Sequence, residues 1–280
     1  MFFRLGIVLW LVLTFFFAYE SYALNKLPTA SFLQYAQLKL GLFKGMSLSP
    51  EPGRPLSMFL GYAGLGTMIL MNLYSMRKRF GMLAKVLPNI PRMLDFHIFC
   101  GLMGPTMIIF HSNFKVRGLV AISFWSMLVS AGSGIIGRYF YVQIAKGQKE
   151  TGGEIESLKN SITKYFEQKM PQFDFAPLFD RYVAYAGLTP DPSSSGLIPA
   201  FFNSIVGDIK LSFAKPLAPI PERVHAGLVK YAALKRQEGF ISHFKKMMGY
   251  WHTFHLPFAF FMYIAAFLHV IAALVLGVTK

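Results

Sequence analysis

Two apolar stretches of the chain carry histidines at the same spacing. LDFHIFCGLMGPTMIIFHSNF contains His97 and His111, WHTFHLPFAFFMYIAAFLHVI contains His255 and His269, and both pairs lie fourteen residues apart. Fourteen helical steps turn the chain by ~1400°, about 40° short of four turns, so each pair shares one helix face. The rise between paired histidines is ~21 Å, most of the ~30 Å hydrocarbon core of a bilayer. Two such helices side by side would present one histidine pair near each membrane surface.

This geometry suits two stacked haems, each held by imidazoles from two helices. A lone histidine in an apolar helix is more often a hydrogen-bonded packing residue, and that alternative stays open. Ionisable residues inside membrane spans are rare and usually functional, and four of the seven histidines follow the pattern, which favours ligands. A single cysteine, Cys100, and the lack of a C-x-x-C-H motif exclude thioether attachment. We therefore predict two haem b groups, with the four histidines as iron ligands.

The composition indicates an integral membrane protein. Of 280 residues, 54% are hydrophobic, 16% aromatic and 15% charged, and the mean hydropathy is +0.44. A net charge of +15 would indicate nucleic-acid binding in a soluble protein. Here the basic residues cluster at span ends and in one long loop, as membrane topology requires, so no nucleic-acid partner is expected. One cysteine also excludes a disulfide framework and a cysteine-ligated iron–sulfur cluster.

We predict an all-α fold with five transmembrane helices around a four-helix dihaem bundle. The first helix, over residues 1–19, is expected to be an uncleaved signal anchor, and the alternative is a signal peptide processed at Ser21-Tyr22-Ala23. A short helix is expected near 30–43. The other predicted spans cover residues 55–76, 92–113, 118–143 and 251–277.

A basic loop fixes the predicted orientation. Five basic residues and no acid lie between Arg77 and Arg92, which places this loop in the cytoplasm. The amino terminus is then inside and the carboxyl terminus outside, in a bacterial inner membrane. Both histidine helices run outward, so they are parallel. The predicted pairs are His97 with His255 near the inner surface, and His111 with His269 near the outer surface.

The predicted domain organisation has three parts: 1–143, with the anchor and spans two to four; 144–250, a cytoplasmic helical insert; and 251–280, the last span. The insert is predicted to contain amphipathic helices at 149–170 and 221–251, the second running into the last span, and loops at 189–199 and 215–221. The fifteen Lys and Arg residues from Arg138, just before the insert, to Lys246 are consistent with an anionic leaflet. The insert is either a solvated cap or a docking platform for a redox partner. His225 and His243 are expected to be surface residues.

Further residues are predicted to contact the haems. Gly118 and Gly132, again fourteen apart on the fourth span, either serve ordinary small-residue packing or let a flat macrocycle approach the backbone. Basic residues at span ends either bind haem propionates or simply extend to the membrane surface. The propionate candidates are Arg92, Arg138 and His252 on the inner side, and Lys115 and Arg117 on the outer side.

The pattern H-x13-H, an intervening span and H-x13-H on a parallel span resembles the membrane dihaem b-type cytochromes. It is similar to the ferric-reductase-like transmembrane core and to the four-helix core of cytochrome b, over residues 56–143 and 251–277. The resemblance implies the ligand role of the four histidines. The 144–250 insert belongs to neither pattern, and the chain shows no Pro-Glu-Trp-Tyr-like quinol motif and no flavin or dinucleotide fingerprint.

From these features we expect a cytochrome that passes single electrons across the membrane as the electron-transfer component of an oxidoreductase complex, as in a respiratory chain. A quinone pool and an iron–sulfur, flavin or cytochrome subunit are its expected partners. The alternatives are a standalone reductase of ferric ions or small molecules, and a non-redox scaffold subunit of a membrane assembly.

Overall fold

The protein is all-helical. The computed structural model describes residues 2–148, 151–188 and 196–275. Of these residues, 81% are helical and none lies in a strand. The described residues form ten α-helices: α1 Phe2–Lys26, α2 Phe32–Lys39, α3 Pro55–Leu70, α4 Leu73–Arg79, α5 Ile90–Ser112, α6 Leu119–Gln148, α7 Thr151–Lys169, α8 Ala176–Tyr185, α9 Leu197–Ser212 and α10 Glu222–Val275. Two short 3₁₀ turns, Pro28–Ala30 and Gly81–Lys85, connect some of them.

Five of these segments are long and apolar enough to cross a membrane, which confirms the number of predicted spans. They are α1, the α3–α4 segment Pro55–Arg79, α5, α6 and α10. Helix α10 has 54 residues, so it is ~81 Å long and far exceeds a ~30 Å hydrocarbon core. The prediction that the second amphipathic helix continues into the last span is therefore confirmed.

The chain divides into two compact units. Unit 1 comprises Met1–Ile135 with His255–Lys280, and unit 2 comprises Ile136–Phe254. The chain enters unit 2 within α6 and leaves it within α10.

Close packing in unit 1 depends on small residues where α3 meets α5. A Cβ atom on Gly64 would lie 3.1 Å from the carbonyl oxygen of Gly104, so the two backbones nearly touch. Helix α1 packs on the same helix α5, where the indole of Trp10 donates to the Thr106 hydroxyl at 3.0 Å. These contacts hold the first histidine helix between two neighbours.

The α3–α4 span is interrupted at Met71 and Asn72. The Nδ2 of Asn72 donates to the carbonyl oxygen of Met68 at 3.1 Å and to the hydroxyl of Tyr263 at 2.7 Å. Asparagine side chains compete with helical hydrogen bonds in this way. The Tyr263 hydroxyl itself donates to the Met68 carbonyl, so the interruption is tied to α10.

A buried carboxylate joins α1 to α2. Glu20 is 3% exposed and accepts from the Ser31 hydroxyl and the Phe32 amide, both at 2.7 Å, and from the Leu33 amide at 3.2 Å. Ser31 is also the N-cap of α2 and accepts from the Gln34 amide. The first amides of a helix lack internal partners, so Glu20 and Ser31 together satisfy them.

Unit 2 has an apolar helical core. One cluster surrounds Phe166, Tyr182 and Leu228, and a second contains Phe140 and Phe244. The segment predicted as a loop at 189–199 is partly helical, because α9 begins at Leu197; residues 189–195 lie outside the described residues. The predicted helix at 149–170 corresponds to α7, with 149–150 likewise outside them.

A fully buried arginine lies at the centre of a polar network in unit 2. Arg236 pairs with Asp208 of α9 and donates to the Ala186 carbonyl at 3.2 Å. Asp208 also accepts from the Tyr139 hydroxyl at 3.1 Å and from Gln143 at 2.9 Å. A buried charge requires such partners, and this network ties α6, α9 and α10 together.

The expectation that His225 and His243 are surface residues is wrong. They are 5% and 7% exposed. His225 Nε2 donates to the Ala214 carbonyl at 3.0 Å, and Nδ1 accepts from the Tyr182 hydroxyl at 2.7 Å. Burial raises the pKa of Tyr182, so its hydroxyl stays protonated and can donate to the imidazole.

Candidate functional site: four histidines on two helices

The four predicted ligands lie in unit 1 on the two predicted helices. Helix α5 carries His97 and His111, and α10 carries His255 and His269. All four side chains are half-buried. Helix α5 begins after Asn89, whose side chain accepts from the Arg92 amide at 3.2 Å. Both histidines of each pair lie within one continuous helix, α5 for the first pair and α10 for the second.

A main-chain carbonyl determines the tautomer of His97. Its Nδ1 lies 2.9 Å from the carbonyl oxygen of Met71, at the interruption between α3 and α4. A carbonyl oxygen can only accept, so Nδ1 carries the proton and Nε2 of the neutral ring keeps its lone pair. The Tyr74 ring lies 5.3 Å from the imidazole, centroid to centroid, and limits its rotation.

His111 is held in the same way by the other end of the span. Its Nδ1 lies 2.8 Å from the Ser57 carbonyl oxygen and 3.2 Å from the Ser57 hydroxyl. That hydroxyl donates to the His111 carbonyl at 2.7 Å, so Nδ1 is again the donor. Gly61 lies against the ring, because a Cβ atom there would be 2.7 Å from Nδ1. The ring therefore requires glycine at this position.

A serine hydroxyl holds His255. Ser133 of α6 lies 2.8 Å from Nδ1 and donates its own hydrogen to the Ser130 carbonyl at 2.9 Å. A serine hydroxyl has one hydrogen, so Ser133 accepts from Nδ1 and Nε2 again keeps its lone pair. Three of the four histidines thus have Nδ1 bound to a neighbouring helix and Nε2 in the form that binds a metal.

His269 completes the set. It is half-buried on α10, and its pairing with His111 stays a prediction. Among residues 2–148, 151–188 and 196–275, no group of three or more His, Cys, Asp or Glu side chains could hold a metal ion unaided. Two imidazoles are sufficient only when another group provides the remaining ligands, as a porphyrin does for iron.

The two predicted glycines differ in their surroundings. Gly132, next to Ser133, is exposed, and a Cβ atom there would meet nothing within 4 Å; this open space is compatible with a flat group against the backbone. Gly118 precedes α6, and its φ of +63° is a conformation that favours glycine in any case. The turn alone explains Gly118, and its cofactor role stays a prediction.

The predicted propionate ligands also stay predictions. Arg92, Lys115 and Arg117 are exposed at the ends of α5 and in the turn that follows it. Arg138 and His252 belong to unit 2; the Arg138 guanidinium lies 5.7 Å from the Tyr141 ring centroid, and His252 is exposed.

The serines that orient the imidazoles were not predicted from the sequence. Ser57 is 54 residues from His111, and Ser133 is 122 residues from His255. The available signal was the position of polar side chains within apolar spans, where they generally have a specific partner.

Comparison of the chain with protein-family models, curated proteins and solved structures finds no match. The arrangement of the four histidines therefore carries the functional argument alone.

Proposed function

We propose that this protein is a dihaem b-type cytochrome that passes electrons across a membrane. The observation that carries the proposal is the shared state of His97, His111 and His255, whose Nδ1–H groups are donated to polar atoms of adjacent helices. Histidines that bind metals generally donate the second ring nitrogen in this way, which fixes the tautomer and raises the basicity of the ligating nitrogen.

The residues present fit two haem groups. His97 with His255 would hold the first, and His111 with His269 the second. The open space at Gly132, beside Ser133, supports the first pair, and the equal spacing of the histidines on the two helices supports the second. A bis-imidazole haem iron supplies one-electron oxidation and reduction and leaves no iron position open for another ligand.

The chain's own residues would hold and insulate these groups. Ser133 and the Met71 carbonyl fix the rings of the inner pair, while Ser57 and Gly61 position His111. The apolar side chains of the spans exclude water, and burial together with nearby charge sets the reduction potential of a bound haem. Arg92 and Arg117 are suited to bind propionates at the two membrane surfaces.

The wider assignment is part of the same proposal. The protein acts as a subunit of a membrane oxidoreductase that exchanges electrons with a quinone and with a protein partner. The basic segment from Arg77 to Arg92 supports a cytoplasmic position for that loop, with the amino terminus inside a bacterial inner membrane.

The test is the spectrum of the purified chain and of four single variants. Reduced-minus-oxidised b-type bands at about two haems per chain are expected from four axial imidazoles. His97→Ala and His255→Ala should lose the same haem, and His111→Ala and His269→Ala the other. Thr253→Ala is the control, because it changes an exposed residue of the same helix that has no assigned haem contact, and it should keep both haems. Absence of a Soret band from correctly assembled membranes would refute the proposal and leave a scaffold role.

A shared haem between His97 and His269 would refute the predicted pairing while leaving haem binding intact. Haem reduction that does not depend on quinol would remove the quinone from the proposal.

A further inference from the structure

Helix α9 has apolar residues on two opposite faces. One face is buried within unit 2 and consists of Ala200, Ser204, Gly207 and Leu211. The opposite face is exposed, and we call its five residues the α9 stripe: Ile198, Phe202, Val206 and Ile209, continued by the C-cap Phe213. At 100° per residue the stripe falls within an arc of about 80°, roughly opposite the buried face. Its side chains are 46% to 80% exposed.

The α9 stripe is a localised feature. In the described part of unit 2, the other exposed large apolar side chains are Ile136, Tyr250 and Phe254, which lie where α6 and α10 enter and leave the unit. Helix α7 of the same unit provides the contrast, because its exposed positions are polar or glycine, as at Glu154, Asn160 and Glu167. A helix that is apolar around most of its circumference belongs in apolar surroundings, and a contiguous exposed patch marks an interaction surface. Thus α7 faces water, and α9 requires another environment.

The charges beside the α9 stripe and the connections of unit 2 indicate that a membrane surface covers the stripe. The chain enters and leaves unit 2 on α6 and α10, which are both candidate membrane spans. Lys210 and Lys215, at the carboxyl end of α9 and just beyond it, are exposed and match anionic lipid headgroups. The only acid of α9, Asp208, is bound to Arg236. An apolar stripe flanked by lysines is the pattern of a helix that lies in the plane of a membrane surface.

We propose that α9 is an interfacial membrane helix. The α9 stripe inserts into the acyl region of an anionic leaflet, and Lys210 and Lys215 contact its headgroups. Unit 2 is thereby held against the membrane surface instead of extending into water. This inference does not depend on haem binding, since it concerns surface that the four histidines do not use.

Site-specific fluorescence quenching of the full chain tests the proposal. Cys100 is the single cysteine, so Cys100→Ser provides a cysteine-free background. Phe202→Cys and Ile209→Cys place a bimane label on the stripe, and Asn160→Cys on α7 is the matched control. The labelled proteins are reconstituted, one copy per nanodisc, in phosphatidylethanolamine and phosphatidylglycerol. Nitroxide-labelled lipid and aqueous iodide then serve as quenchers.

The labels at 202 and 209 should lose most of their fluorescence to the nitroxide lipid and little to iodide. The label at 160 should show the reverse. Quenching of the stripe labels by iodide to the extent seen at 160 would overturn the proposal. Protection from both quenchers would also overturn it, since that result means that protein covers the stripe.

Discussion

Replacing Ser133 with alanine removes the hydroxyl that accepts from Nδ1 of His255 at 2.8 Å. The imidazole of His255 then loses the hydroxyl that orients it, and its Nδ1–H loses that acceptor. Removing the acceptor of a buried donor costs about 1–3 kcal/mol. Loss of a hydrogen bond that orients a metal ligand typically lowers affinity by roughly 10–100-fold, or about 1.4–2.8 kcal/mol. We expect a weakening of this order for the haem that we propose His97 and His255 share, with the other proposed haem retained.

The structure provides two comparisons for this variant. Ser123→Ala is the matched control on the same helix, because its hydroxyl donates to the Met262 carbonyl of α10 at 3.1 Å and contacts no histidine. Ser57→Ala should have a smaller effect than Ser133→Ala, because the main-chain carbonyl at position 57 still accepts from His111 at 2.8 Å.

The assay is the rate of haem transfer from each purified variant to an excess of apomyoglobin, followed in the Soret region, with the two haems distinguished by redox titration. Faster loss of one haem from Ser133→Ala, with Ser123→Ala unchanged, is the expected result. Equal retention of both haems by the two variants would refute the assignment of Ser133 as the group that orients His255.

Three other substitutions have defined outcomes. Gly61→Ala should displace the His111 ring and lose the outer haem, because a Cβ atom there would lie 2.7 Å from Nδ1, whereas Gly66→Ala on the same helix meets nothing within 4 Å and should retain both haems in the same spectrum. Glu20→Ala should release α2 from α1 at a cost of about 1–3 kcal/mol, seen as faster tryptic cleavage in residues 31–46, and Glu20→Gln, which keeps one oxygen acceptor, should be cleaved at an intermediate rate. Tyr182→Phe removes the donor to a buried imidazole and the acceptor of the Leu217 amide, so it should lower the unfolding free energy of the full chain by about 1–3 kcal/mol in thermal melts; an unchanged melting temperature would contradict this account of the unit 2 core.

The spans were predictable because each depends on a local property of the chain. An apolar run of sufficient length determines a membrane helix, and the 14-residue spacing determines which face the histidines share. The interruption at Met71 and Asn72 was not predicted, since the segment LMNLY contains neither proline nor glycine. It depends on the amide of Asn72 and on Tyr263, which is 191 residues away.

The burial of His225 was missed although its spacing contains the signal. His225, Leu228 and Ala232 follow one another at helical spacing, and the latter two are fully buried. A buried histidine needs a hydrogen-bond partner, and because no carboxylate lies near His225 in the sequence, a surface position was expected. The hydroxyl of Tyr182 satisfies it instead, and that partner comes from another helix.

His97 and His255 differ in how genetic change can affect the groups that hold them. The group that holds His97 is the main chain at Met71, and every amino acid supplies a carbonyl there. The group that holds His255 is a side chain, and a single base change in a serine codon can remove it. Random mutation should therefore disable this site far more often through position 133 than through position 71, and a mutational scan would show tolerance at one and strict selection at the other.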